Sequence, residues 1–240
     1  MEFVNLSNMI SAKYENYPYP HTIIENFLNE DKISEVLCEI NKLKDEDADH
    51  TFLDPKNPFE YRKIAFNKNY GDLLKKLFVE LNSVLFITFL ENLTGIQNLI
   101  VNDITLAGAG IHRIKKNGYL QLHTDFNFYD HQGTNLDRRI NLLIYMNPDW
   151  KPEYKGALLM ADKEKQMIVK QIFPILNRCL IFNTSNKSIH GHPEPLDVPE
   201  HICRQSIAVY YYTKNQNGKV DFEGDAKHTT LWHSSHDINQ

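Results

Sequence analysis

Two hydrophobic periods divide the chain near residue 100. Before it, apolar residues recur every three or four positions. The first stripe is Ile33, Val36, Leu37, Ile40 and Leu43. A second is Leu73, Leu74, Leu77, Phe78 and Leu81, and a third is Leu85, Phe86, Phe89, Leu90 and Leu93. That spacing predicts amphipathic helices packing against something larger. Asn29 is the expected N-cap of the first, with Glu30 and Asp31 where the helix dipole favours anions. Asn82-Ser83 should break and recap the second, and Gly95 should stop the third. Upstream, Tyr17-Pro18-Tyr19-Pro20 is an extended entry, and a short strand follows at 22–24. Residues 52–69 contain Pro55, Asn57 and Pro58 and read as a loop, with a cover over an active site as one option.

Beyond residue 101 the period falls to two. Strands are predicted at 104–114, 119–125, 138–146, 156–161, 166–173, 178–182, near 188 and at 204–213, with Gly118 as a turn before the second. This pattern implies an α+β fold with a jelly-roll core, a double-stranded β-helix whose mouth can hold a ligand. The expected layout is one domain: a helical support over 1–100, a core over 101–213 and a polar tail over 214–240.

Bulk composition narrows the class without identifying it. The 240 residues suffice for a sizeable core, and 42% hydrophobic with 24% charged residues is ordinary for a globular protein. A net charge of −5 argues against a nucleic-acid partner. The longest apolar run, 84–90, is too short to cross a bilayer, and the start lacks the basic and apolar regions of a signal peptide. Three cysteines without a C-x-x-C fit a reducing, cytoplasmic setting.

Candidate chemistry centres on His123-Thr124-Asp125. On a strand, residues two apart share a face, so an imidazole and a carboxylate project together. A second imidazole from a later strand would complete a 2-His-1-carboxylate triad, the donor set of non-haem iron(II) oxygenases. His190 and His192 both compete for that place. His190 is preferred, because Gly191 permits close backbone approach and Pro193 begins an irregular segment. His112, His131, His201, His228, His233 and His236 read as surface or loop residues. On the last strand Arg204, Ser206, Ala208 and Tyr210 share a face, while Asn141, Leu143 and Tyr145 share one on 138–146. An inward arginine needs an anion, and its planar fork suits a carboxylate, with Ser206 and Tyr145 as further donors.

Taken in order, His123-Thr124-Asp125, Tyr145-Met146-Asn147-Pro148-Asp149-Trp150, Gly156-Ala157-Leu158, His190 and Arg204 resemble the iron(II)/2-oxoglutarate dioxygenases. Within them the chain is most similar to the prolyl 4-hydroxylase-like branch that includes the hypoxia-sensing enzymes. The resemblance implies iron(II) on His123, Asp125 and His190, and 2-oxoglutarate on Arg204 and Tyr145 with help from Ser206. It also implies dioxygen as co-reactant and hydroxylation of an unactivated C–H bond, of a prolyl or other amino-acid residue, with succinate and CO2 as coproducts. No catalytic residue beyond the metal site is expected. The substrate, a peptide or a small molecule, should contact Asn127, Phe128, Tyr129, Arg139, Trp150 or His192 at the mouth. The chain departs from the branch in a longer interval between His190 and Arg204, expected as a rim loop at 193–197, and in His192 as a neighbour of the ligand. Rival readings are the same chemistry on a free amino acid, metabolite or sugar intermediate, a non-catalytic cupin-like binding module, and a zinc hydrolase.

Overall fold

A computed structural model describes residues 1–103, 107–214, 226–234 and 238. The predicted strand positions 104–106, and Asn215, Asn217, Gly218 and His236 of the tail, lie outside the described residues. The helices are α1 (Leu6–Ile10), α2 (Glu30–Asn41), α3 (Asp72–Leu81) and α4 (Val84–Thr94). The strands are β1 (His21–Ile24), β2 (His50–Phe52), β3 (Glu60–Phe66), β4 (Gly110–Thr124), β5 (Phe128–His131) and β6 (Thr134–Tyr145). They continue with β7 (Leu158–Asp162), β8 (Met167–Ile172), β9 (Cys179–Asn183), β10 (Ile189–His192), β11 (Arg204–Lys214) and β12 (Leu231–Trp232). Among the described residues, no helix is long and apolar enough to cross a membrane.

The strands run in the order β1-β9-β6-β11-β4-β10-β7-β8, curled as a double-stranded β-helix, and every pairing is antiparallel. β4 carries the curl. Its first part, Gly110 to Ile114, pairs with β11, and its last part, Leu120 to His123, pairs with β10. The sequence predicts a turn at Gly118, yet the strand runs through it. A Cβ there would lie 2.6 Å from the Ile114 Cγ2, 2.7 Å from the Lys115 carbonyl oxygen and 2.8 Å from that of Tyr61. The glycine therefore serves a close approach inside a bent strand rather than a reversal.

The helices cover the outer face of the first half. Leu74, Leu77, Phe78 and Leu81 of α3 and Phe86, Ile87 and Leu90 of α4 are buried with Ile140, Leu142 and Ile144 of β6 and Ile207 and Val209 of β11. The alternate residues Asn141, Leu143 and Tyr145 then face the interior, as the period of two requires. Ser83 caps α4 by accepting from the Phe86 amide at 3.3 Å, and Gly95 ends it at φ 75°. Asn29 stands at the N-cap of α2, but its side chain donates to the Glu2 carbonyl instead, at 2.8 Å, which anchors the N-terminal segment.

One segment expected as a loop contains a strand, and another is anchored in the core. Residues 52–69 contain β3, which pairs with β2 and with β4. The polar first half of β3 hides its strand character, and Arg62 at φ 53° interrupts its alternation. Residues 193–203 form an irregular, largely exposed loop pinned by two buried side chains. Leu196 and Val198 are buried with Ile114 and Trp150, and Leu196 exchanges backbone hydrogen bonds with Asn117 and Gly118.

One contact places the two halves of the β-helix against each other. A Cβ on Gly191 would lie 2.5 Å from the Gln121 carbonyl oxygen and 2.9 Å from that of Leu120. Both obstacles are backbone, so neither can rotate away. Gly191→Ala is expected to lower stability by about 1–3 kcal/mol, as overpacking does, read by urea denaturation. Wild-type stability for that variant would show that the strands are free to part.

Candidate active site

The register of β10 on β4 sets His190 directly opposite His123, and Asp125 follows one residue past the end of β4. His123, Asp125 and His190 each offer a ligand atom within 4.8 Å of the others, and the two imidazole centroids are 4.4 Å apart. Each ring is anchored by its far nitrogen. His123 Nδ1 donates to the Gln121 carbonyl and His190 Nδ1 to the Ser188 carbonyl, both at 2.8 Å. Both Nε2 atoms are thereby left as lone-pair donors facing the carboxylate, 3.6 Å and 3.4 Å from its oxygens. Phe182 packs edge-on against His190 at 4.8 Å, and Trp232 of β12 lies 5.1 Å from His123. Burial, with His123 beside it, pushes the His190 imidazole down to about 4, so it is neutral at ordinary pH.

Asp125 is held by groups the sequence did not single out. Arg138 Nη2 is 3.0 Å from Asp125 Oδ2, and Asn141 Nδ2 donates to the same oxygen at 2.5 Å. Arg138 Nε also donates to Asn141 Oδ1 at 3.0 Å, and its guanidinium lies against Tyr210 at 3.6 Å and Phe126 at 4.5 Å. Burial opposes ionisation of Asp125, but Arg138 and the two imidazoles outweigh it and hold the carboxyl well below its usual range. Oδ2 is thus occupied, which leaves Oδ1 as the freer donor.

A second polar group lies deeper. Arg204 is 5% exposed, and its Nε donates to the Gly156 carbonyl at 2.8 Å. Its Nη2 and the Tyr145 hydroxyl are buried without partners. The guanidinium carbon is 5.1 Å from the Tyr145 ring centre, and Ser206 pairs with Tyr145 across β11 and β6. Burial raises the Tyr145 pKa, so its hydroxyl keeps its proton as a donor. Among the described residues no carboxylate pairs with Arg204. A buried guanidinium with an unfilled donor beside an unfilled hydroxyl has the chemistry of a carboxylate site.

The expected substrate contacts scatter. Tyr129 lines a cavity of about 450 Å³ together with His123, Asp125, Arg138, Tyr210, Lys63, Glu60 and Trp232. Asn127 is fully buried and binds the backbone of Ala226 and His228, which ties down the C-terminal segment. Trp150 donates to the Lys155 carbonyl at 3.1 Å and packs in a separate cluster. Arg139 reaches Thr213 Oγ1 at 3.3 Å instead of the mouth. The register between β6 and β11 shifts there, from Ile140 opposite Tyr211 to Arg138 opposite Tyr212. That bulge reverses the alternation, so Arg138 faces the site and Arg139 does not. His192 is 2% exposed and lines a second cavity, beside Gly156 and Phe173. His112, expected at the surface, lines the same cavity as His123, and burial pushes its pKa down to about 3. A signal for Arg138 was present: a buried Asp125 needs a counter-charge, and the adjacent arginines 138 and 139 offer opposite faces.

The comparisons with known proteins agree with this geometry. Residues 109–212 match the family model of the 2OG-Fe(II) oxygenase superfamily. The chain carries a 2OG-Fe(II) oxygenase domain. It is 32% identical over 79 residues to the mouse prolyl 3-hydroxylase OGFOD1. That match takes in 31% of this chain and 14% of that relative's length. A prolyl 4-hydroxylase of Pseudomonas putida has the same fold, at TM-score 0.58 and 11% identity over 87% of this chain and 97% of that one. So does a Trichoplax adhaerens prolyl hydroxylase in complex with a peptide fragment of the hypoxia-inducible factor oxygen degradation domain, at TM-score 0.57 and 20% identity over 80% of this chain and 83% of that one. The two ligands in the family's name fit the oxygenase domain: the two-imidazole, one-carboxylate donor set suits iron(II), and the orphaned Arg204 and Tyr145 atoms suit an oxo acid.

Removing Arg138 leaves Asp125 buried beside no cation. Arg138→Met is expected to cost the metal-free oxygenase domain about 3–5 kcal/mol. Adding Asp125→Asn should restore part of that loss, because the uncompensated charge is gone. Additive losses in denaturation would mean that the two groups do not depend on each other.

Proposed function

We propose that the protein is an Fe(II)/2-oxoglutarate-dependent hydroxylase whose substrate is an amino-acid residue, prolyl or other, within a peptide. The observation that carries this is the joint presence of two groups: three ligand atoms within 4.8 Å of each other, and a buried guanidinium and phenol with Arg204 Nη2 and the Tyr145 hydroxyl unfilled and no carboxylate partner among the described residues. A zinc hydrolase gives the second site no task, and a spent binding module has no use for both. The peptide class is supported by the likeness to the peptide-bound Trichoplax enzyme and to a prolyl 3-hydroxylase.

His123 Nε2, His190 Nε2 and Asp125 Oδ1 hold the metal, and Arg138 and Asn141 keep Asp125 Oδ2 from competing for it. Arg204 grips the distal carboxylate of 2-oxoglutarate by charge and Tyr145 by a hydrogen bond, with Ser206 alongside. Bound iron, with 2-oxoglutarate as reductant, supplies the dioxygen chemistry that turns C–H into C–OH and leaves succinate and CO2. The mouth is shaped by Tyr129, Trp232 and Phe59, whose ring stacks on Trp232 at 4.7 Å. Lys63 and Glu60 pair with each other at 3.0 Å on its wall and offer both signs of charge to a peptide backbone.

Anaerobic iron(II) with 2-oxoglutarate is expected to give a weak visible charge-transfer band that Asp125→Ala abolishes. A protein that binds both but shows no band is a binding module. Succinate release should then follow prolyl peptides in preference to free amino acids or sugar nucleotides. Release with only the small molecules would move the substrate class to a metabolite.

A further inference from the structure

The histidine two residues beyond the metal-side imidazole is unlike the others. His21, His123 and His190 each park Nδ1 on the carbonyl of the residue two positions back, at 2.8 Å. His192 does not: both its ring nitrogens lack partners, although the residue is 2% exposed. An imidazole carries at least one N–H in every protonation state, so a donor is buried with nothing to receive it, a costly arrangement that calls for an explanation.

Its surroundings supply one. The pairing of β10 with β4 shifts at this point, from His190 opposite His123 to His192 opposite Leu120. Of the charged groups around it Arg204 acts most strongly, followed by His123 and then Lys63. The ring borders a cavity of about 360 Å³ along Lys155, Gly156 and Phe173. Gly156 links the two sites: it lines the same cavity as His192, and its carbonyl holds Arg204 Nε at 2.8 Å. Arg204 Nη2, the Tyr145 hydroxyl and the His192 ring nitrogens thus each lack a well-formed hydrogen bond, and Arg204 and Tyr145 are near enough to act on each other. One carboxylate can accept from all three, since its two oxygens offer about four lone-pair sites.

We propose that His192 is a third donor to 2-oxoglutarate, binding its distal carboxylate beside Arg204 and Tyr145. This rests on the hydroxylase reading above and deepens it. His192 binds the cosubstrate, and the peptide contacts are left to the residues of the mouth.

The test is calorimetry of 2-oxoglutarate binding to the full chain loaded with Mn(II) under argon. His192→Phe, of similar size, is expected to weaken 2-oxoglutarate about tenfold or more, the scale of a lost hydrogen bond to a charged group, with Mn(II) affinity retained. His192→Gln, which keeps an N–H, should recover most of the loss. Wild-type affinity in His192→Phe, with binding weakened in Arg204→Met, overturns the role of His192 and leaves the hydroxylase reading standing. Binding that is absent, or unaffected by Arg204→Met, overturns both. A second readout needs no variant. In protein labelled with ¹⁵N-histidine, the His192 imidazole N–H should become protected from exchange when 2-oxoglutarate is added. An unchanged signal also overturns the proposal.

Discussion

The site depends on how closely two strands pass. β10 lies so near β4 at Gly191 that no side chain fits between them, and the pairing it enforces sets His190 across from His123. Moving β10 by one residue would turn His190 outward and Ile189 inward, because side chains alternate. The bend of β4 about Gly118 lets one strand serve both halves of the β-helix, with the metal-side pair near its end and the partner of Arg204 near its middle. The His123–Asp125–His190 cluster and Arg204 are thus positioned by the same strand.

Electrostatics then divides the interior into a satisfied part and an unsatisfied part. Asp125 is compensated before any metal arrives, by Arg138 and Asn141 on one oxygen and by two imidazoles nearby. Arg204 has no such partner among the described residues, and Tyr145 and His192 are left in the same condition. Buried donors without acceptors are rare in folded proteins. Unfilled donors of this kind suit an anion, whereas a compensated carboxylate beside two neutral imidazoles suits a cation.

Much of this was legible in the residues, and the exceptions have physical causes. The helix period before residue 100 located α2, α3 and α4, and Ser83 begins and Gly95 ends α4 where expected. The jelly roll followed from the period of two. Strict alternation also placed Asn141 and Tyr145 facing inward, but it failed at Arg138 and Arg139, because a bulge changes parity and leaves no mark in composition. The hairpin of β2 and β3 was hidden by polar residues that face the mouth of the site. His112 looked superficial because a lone histidine on a strand carries no sign of what covers it. Trp150 was expected at the mouth and residues 193–197 as a rim loop; the loop is largely exposed, but its Leu196 is buried with Trp150.

The central claim is that His123, Asp125 and His190 form one iron site under the control of the β4–β10 pairing. Equilibrium dialysis of iron(II) under anaerobic conditions tests it most directly, on wild type and on His123→Ala, Asp125→Ala and His190→Ala. The account predicts one iron(II) per wild-type chain and sharply weaker binding in each variant. Wild-type affinity in His190→Ala would contradict it, since the strand pairing would then bring together side chains that share no metal.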